Sequence, residues 1–146
     1  MSNLKQLHDR DFNLWIQAMA TAIESQDVKA MDWENLLDEI QDMGASQKRA
    51  LRSYYYRLVE HILKLRDWRA EKERNEIKWR VEVSNFRREI KDILADSPSL
   101  NSYLEKNQAD WFEKAVKGIL KSKAFAVEDT KAISLEKMMN DDFFGD

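Results

Sequence analysis

The side chains best placed to do chemistry lie along two stretches of helical apolar spacing. His61 stands beside Leu58, Ile62 and Leu65, and Glu39 borders Leu36, Ile40 and Met43 in the same way. An imidazole and a carboxylate brought together at a helix contact could act as an acid/base pair, with Arg87 or Arg88 clamping an anionic group. The plainer outcome for His61 is a half-buried ring bonded to a nearby carboxylate or backbone group. Glu34, Asp38 and Asp42 recur every four residues, a spacing that puts three carboxylates on one helical face. A divalent cation would need ligands from a facing helix as well, so a solvated acidic stripe is the reading adopted and no metal is expected.

A third pattern interleaves cations with aromatic rings. Arg49, Arg52, Arg57, Arg74, Arg80, Arg87 and Arg88 run among Tyr54, Tyr55, Tyr56, Trp68 and Trp79, the residue types that neutralise phosphates and stack on bases. Residues 1–45 hold 3 Lys and Arg against 9 Asp and Glu, residues 46–91 hold 14 against 7, and residues 92–146 hold 7 against 11. The order is therefore acidic, basic, acidic. Pairing between helices could take up much of the central positive charge.

No phosphate-binding loop, dinucleotide fingerprint, zinc-protease motif, calcium loop or nucleophile elbow occurs in the chain. It holds no cysteine, which removes disulfides and thiolate chemistry and fits a reducing compartment, here taken as the cytoplasm. Residues 1–11 are polar, and no later run approaches the roughly 18 apolar residues of a membrane span, so neither an export signal nor a membrane segment is expected. With 146 residues, 43% apolar and 35% charged, a single folded domain over residues 1–146 is expected, built without cofactors.

The elements that must position these groups read as helices throughout. Three glycines and one proline punctuate the chain, and β-branched residues never alternate. A first helix starts near Asp9 or Asp11 and carries Phe12, Trp15, Ile16, Met19 and Ile23 toward the core. A second starts at Asp32, and its stripe of Leu36, Ile40, Met43, Leu51, Tyr54, Leu58, Ile62 and Leu65 keeps register across Gly44. This predicts one long helix, bent at Gly44 if anywhere. After a turn over Arg69 to Arg74, a third carries Trp79, Val83, Phe86, Ile90 and Ile93. It stops before Ser97-Pro98, which starts a fourth carrying Leu100, Leu104, Trp111, Ala115 and Ile119. A short helix led by Ser134 and an acidic-aromatic stretch, Asp141-Asp142-Phe143-Phe144, follow.

Taken together, these elements resemble the bacterial, mainly cyanobacterial, family of domain of unknown function number twenty-nine. The resembling residues are Asp11-Phe12, Trp15, Asn35-Leu36, Glu39-Ile40, Met43-Gly44, His61, Lys64, Trp68, Arg74, Trp79-Arg80 and Arg87-Arg88-Glu89-Ile90. Leu94, Ser97-Pro98-Ser99-Leu100, Leu135, Met138 and Asp141-Asp142-Phe143 complete the set. The family pattern places a proline after Trp68, and none stands here. The resemblance implies a helical fold and carries no reaction, substrate or cofactor.

The expectation is thus an all-α bundle of about four main helices plus a short C-terminal one. Its function is read as a non-enzymatic binding or assembly module, homo-oligomeric or engaging a protein partner, with Trp68, Arg74, Trp79, Arg80, Arg87 and Arg88 as binding candidates. The alternatives are nucleic-acid binding through residues 46–91 and an enzyme using His61 and Glu39.

Overall fold

The structure, a computed structural model, describes residues 2–146, with side chains from residue 4 onward. Among the described residues there are six α-helices, one short 3-10 turn and no strand, so the chain is an all-α helical bundle. It divides into two compact units, Met1–Ser46 and Gln47–Asp146.

In the first unit, α1 (Ser2–Arg10) is followed directly by α2 (Phe12–Glu24). Asp11 caps α2 as its position predicts, its Oδ1 accepting the Leu14 N–H at 3.1 Å. Helix α1, whose Leu4, Leu7 and His8 share its half-buried face, is an addition to the sequence reading. Gln26 takes the left-handed conformation (φ 56) and turns the chain into the 3-10 segment Val28–Ala30. Asp32 then caps α3 (Trp33–Asp67), accepting from the Asn35 N–H at 3.4 Å, the Asn35 Nδ2 at 2.8 Å and the Trp15 indole Nε1 at 3.0 Å. That carboxylate ties α2 to the start of α3 while Trp15, Met19 and Ala22 are buried.

Helix α3 runs unbroken through Gly44, in agreement with the register of its stripe. Its second half belongs to the other unit and buries Leu51, Tyr55, Leu58, Val59, Ile62, Leu63 and Leu65. Trp68 ends the turn and α4 (Arg69–Asp96) begins at once, so Arg69 to Arg74 form its first turns and not the loop expected. The α4 seam buries Trp79, Val83, Arg87 and Ile90, while Phe86 and Ile93 are only partly covered. Helix α5 (Leu100–Ser122) starts two residues later than predicted, with Ser99 at its N-cap position, and buries Leu100, Leu104, Trp111, Phe112, Ala115, Val116 and Ile119. A loop leads to α6 (Leu135–Met138), where Ser134 Oγ accepts the Lys137 N–H at 3.3 Å. The last stretch lies against α3 and α4 closely enough that Gly145, at φ 96, has only 3.0 Å between a hypothetical Cβ and the Ile62 carbonyl. No described helix is long and apolar enough to cross a membrane.

Nothing lies within 4 Å of a Cβ placed on Gly44. Gly44→Ala should therefore stabilise the protein by about 0.5–1 kcal/mol in chemical denaturation, through helix propensity alone. No gain would mean that α3 is interrupted at this residue.

Candidate functional site

The structure gives the two predicted acid/base residues different partners. His61 Nδ1 must be the protonated nitrogen facing the Arg57 carbonyl at 2.8 Å, because a carbonyl can only accept. Its Nε2 faces Glu82 Oε2 at 2.5 Å. Phe86 packs edge-on against the ring with centroids 5.0 Å apart. Burial holds the His61 ring below the ordinary histidine range, and the Lys64 ammonium acts the same way, against the Arg57 carbonyl and Glu82, which pull it up.

Glu39 is engaged inside the first unit. Its Oε1 lies 2.7 Å from His8 Nε2, and His8 Nδ1 lies 3.2 Å from Asp9. The His8 ring is set edge-on to Trp15 and Phe12 at centroid distances of 4.8 and 5.4 Å. Hydrogen bonding to Glu39, reinforced by Asp9, raises the His8 pKa. The expected His61/Glu39 pair is therefore replaced by two separate pairs, His61 with Glu82 and His8 with Glu39. Four surface cavities, of about 590, 340, 470 and 170 Å³, include none lined by His61 or Glu39.

The candidate binding residues fall into four environments. Trp68 is stacked between Trp79 at 5.9 Å and Phe125 at 5.1 Å, and the Lys64 ammonium sits over Trp79 at 5.9 Å. Both indoles belong to the packed second unit. Arg87 is 1% exposed and donates from Nε to the Met138 carbonyl at 2.7 Å and from Nη2 to the Phe143 carbonyl at 2.6 Å. Burial lowers its pKa, partly offset by the Asp141 carboxylate, and its Nη1 has no partner. The anion clamp expected of Arg87 is corrected on this ground: the side chain is buried and two of its nitrogens hold the chain's own carbonyls. Arg80 lies 3.8 Å over the Phe144 ring. Arg74 pairs with Glu71 at 2.7 Å and Arg88 bonds Asn85 at 2.7 Å, both from exposed positions on α4.

A different concentration appears in the first unit. Nine of the twelve large apolar side chains most exposed among the described residues lie there: Phe12, Leu14, Ile16, Ile23, Val28, Trp33, Leu37, Ile40 and Met43. The core positions expected for Phe12, Ile16, Ile23, Ile40 and Met43 are corrected accordingly. Trp33, Leu37 and Ile40 are 56, 55 and 57% exposed and follow the four-three spacing of a helix-contact seam. Beside Trp33 runs a groove of about 470 Å³, lined also by Lys5, Lys29, Met31 and Glu34. Asp38 and Asp42 are exposed on the side of α3 turned away from the seam and have no ion-pair partner among the described residues, whereas Glu34 meets Lys5 at 2.5 Å.

A family model described as "Domain of unknown function DUF29" matches residues 7–144. The chain belongs to this family. No curated protein and no solved structure matches it. The residues that carry the DUF29 resemblance include ones that tie the fold together. Asp11 caps α2, Glu39 holds His8, and Arg87 secures Met138 and Phe143.

In this DUF29 chain the sequence reading passed over Trp33, Leu37 and His8. Trp33 and Leu37 had a visible signal: at four-three spacing with Ile40 they extend the stripe of Leu36, Ile40 and Met43 on the same side of α3. His8 had a weaker one, since it precedes Phe12 and Trp15 at spacings of four and three.

Two outcomes test these assignments. With two histidines, the ring resonances can be assigned from His8→Gln and His61→Gln, and proton NMR should titrate His8 above and His61 below the ordinary value of about 6.5. By linkage, the His8 contribution to stability is complete below that value and is lost as pH rises through the raised pKa. The His61 contribution is complete above it and is lost as pH falls toward the depressed pKa. The reverse order would contradict the two pairings. Arg87→Met should cost roughly 2–4 kcal/mol, by removing two charge-assisted hydrogen bonds, and should speed hydrogen exchange over residues 134–146. Unchanged exchange there would show that Arg87 does not hold the segment.

Proposed function

We propose that this DUF29 protein is a helix-docking assembly module that receives a basic amphipathic helix on its N-terminal unit. The observation that carries the reading is the half-exposed seam of Trp33, Leu37 and Ile40 on a unit whose acidic residues outnumber its basic ones. Exposed apolar patches with polar rims mark interaction surfaces, and covering each of these side chains recovers about 1 kcal/mol. An amphipathic helix laid into such a face is read by anchors at helical spacing, and the surrounding charge selects its sign. Residues 1–45 carry 3 Lys and Arg against 9 Asp and Glu, so the complementary ligand is basic. The nucleic-acid reading has less behind it, because Arg66, Arg69, Arg74 and Arg87 are engaged by Asp67, Glu128, Glu71 and backbone carbonyls.

The probe is a synthetic helix with leucines at helical spacing and lysines elsewhere, titrated against the full chain while the Trp33 indole resonance is followed. Binding should perturb Trp33, weaken with salt, and fall more than about tenfold in Leu37→Asp/Ile40→Asp. A glutamate-for-lysine version of the peptide should not bind. Equal binding by the acidic peptide, or by the double variant, would refute the reading.

A further inference from the structure

Helix α1 is itself a basic amphipathic helix, and it is seated on carboxylates of α3. Leu4, Leu7 and His8 share its half-buried face, while Lys5 and Arg10 are exposed and Asp9 is its one acid. Lys5 Nζ meets Glu34 at 2.5 Å, and His8 Nε2 lies 2.7 Å from Glu39 Oε1. The groove of about 470 Å³ takes Leu4 and Lys5 from α1 and Trp33 and Glu34 from α3, so it shares Trp33 with the exposed seam. Nine residues are too few to hold a helix in water without such contacts, and α1 joins α2 through Asp11 alone.

The His8 ring sets the condition for this seating. Its Nδ1 lies 3.2 Å from Asp9 Oδ1 and its Nε2 faces Glu39, and carboxylate oxygens only accept, so the doubly protonated imidazolium alone satisfies both. A ring that loses a proton turns a lone pair onto a carboxylate. The surrounding groups act in the same sense: Asp9 on α1, Glu39 on α3 and Asp32 at the α3 N-cap are acidic, Lys5 is taken up by Glu34, and α2 contributes the Phe12 and Trp15 rings. Resting on the docking reading above, we propose that α1 is a proton-controlled clasp: it occupies the Trp33 end of the docking face while His8 is charged and yields it to the incoming basic helix when His8 is neutral. Release frees Glu34 and Glu39 and withdraws Leu4 and Lys5 from the groove, so the opened face is more acidic and less obstructed, which favours a basic ligand. Because the hydrogen bond to Glu39 raises the His8 pKa, the clasp is complete below the ordinary histidine value and is lost as pH rises through the raised one.

The test titrates the full chain with the lysine-rich helix between about pH 5.5 and 8.5, a range in which lysines and ordinary carboxylates keep their charge. Affinity should rise about tenfold across it, with a midpoint that tracks the His8 ring resonance and not that of His61. Protection of the α1 amides, corrected for the intrinsic exchange rate, should fall in step. His8→Lys keeps its charge throughout and should stay in the weak-binding state at every pH. His8→Gln is always neutral and should bind tightly at every pH. A wild type whose affinity ignores pH, a His8→Lys chain that tightens as the wild type does, or α1 protection that stays constant would each overturn the clasp. If the helix still perturbs Trp33 in those cases, the docking reading stands and only its control by α1 falls. A helix that perturbs Trp33 at no pH, even in His8→Gln, removes the docking reading and the role of the clasp with it.

Discussion

A unit of 46 residues has too little interior to hide every apolar side chain placed along it, and the N-terminal unit lives under that constraint. Trp15, Met19 and Ala22 take the interior, with Asp32 bonding the Trp15 indole and Glu39 bonding His8 around them. Phe12, Ile16 and Ile23 on α2, and Trp33, Leu37, Ile40 and Met43 on α3, are left outside. Hydrophobic surplus of this kind is unfavourable in water and is relieved by association. In the proposed docking, the excess of acidic residues in the same unit selects a basic partner.

The second unit is organised by a different constraint, a buried guanidinium. Arg87 occupies a seam position on α4 between Val83 and Ile90, where an apolar residue would be usual. Its charge is tolerated because two backbone carbonyls, on Met138 and Phe143, face its donors, so the same side chain that would be costly unpaired draws the last segment onto the bundle. Arg80 over Phe144 and the close fit of Gly145 against Ile62 and Arg66 complete that seating. With its interior closed in this way, the unit turns Ile77 and Val81 outward.

Much of the architecture was legible in the chain. Asp11, Asp32 and Ser134 cap helices as their types and positions predict, the register across Gly44 foretold an unbroken α3, and Ser97-Pro98 marked the break between α4 and α5. The site was less legible, for physical reasons. Periodicity locates a face but does not say whether a partner covers it, so Ile40 and Met43 read as core although they are exposed. The partners of Arg87 are 51 and 56 residues away, and such long-range hydrogen bonds leave no local pattern, so Phe86 was assigned to the seam in its place. The carboxylate that reaches His61 comes from α4, whereas Glu39 was paired with it only because both border apolar stripe residues, and one continuous α3 holds the two apart.

The central claim is that the exposed seam of Trp33, Leu37 and Ile40 receives a basic amphipathic helix. The chain holds no cysteine, so a single cysteine can be placed on its surface without competing thiols. Leu37→Cys and, as a control on α5, the exposed Glu105→Cys are each mixed with a lysine-rich helix bearing one cysteine among its leucines and oxidised gently. The account predicts a mixed disulfide with Leu37→Cys well in excess of that with Glu105→Cys. Equal cross-linking of the two chains would contradict it.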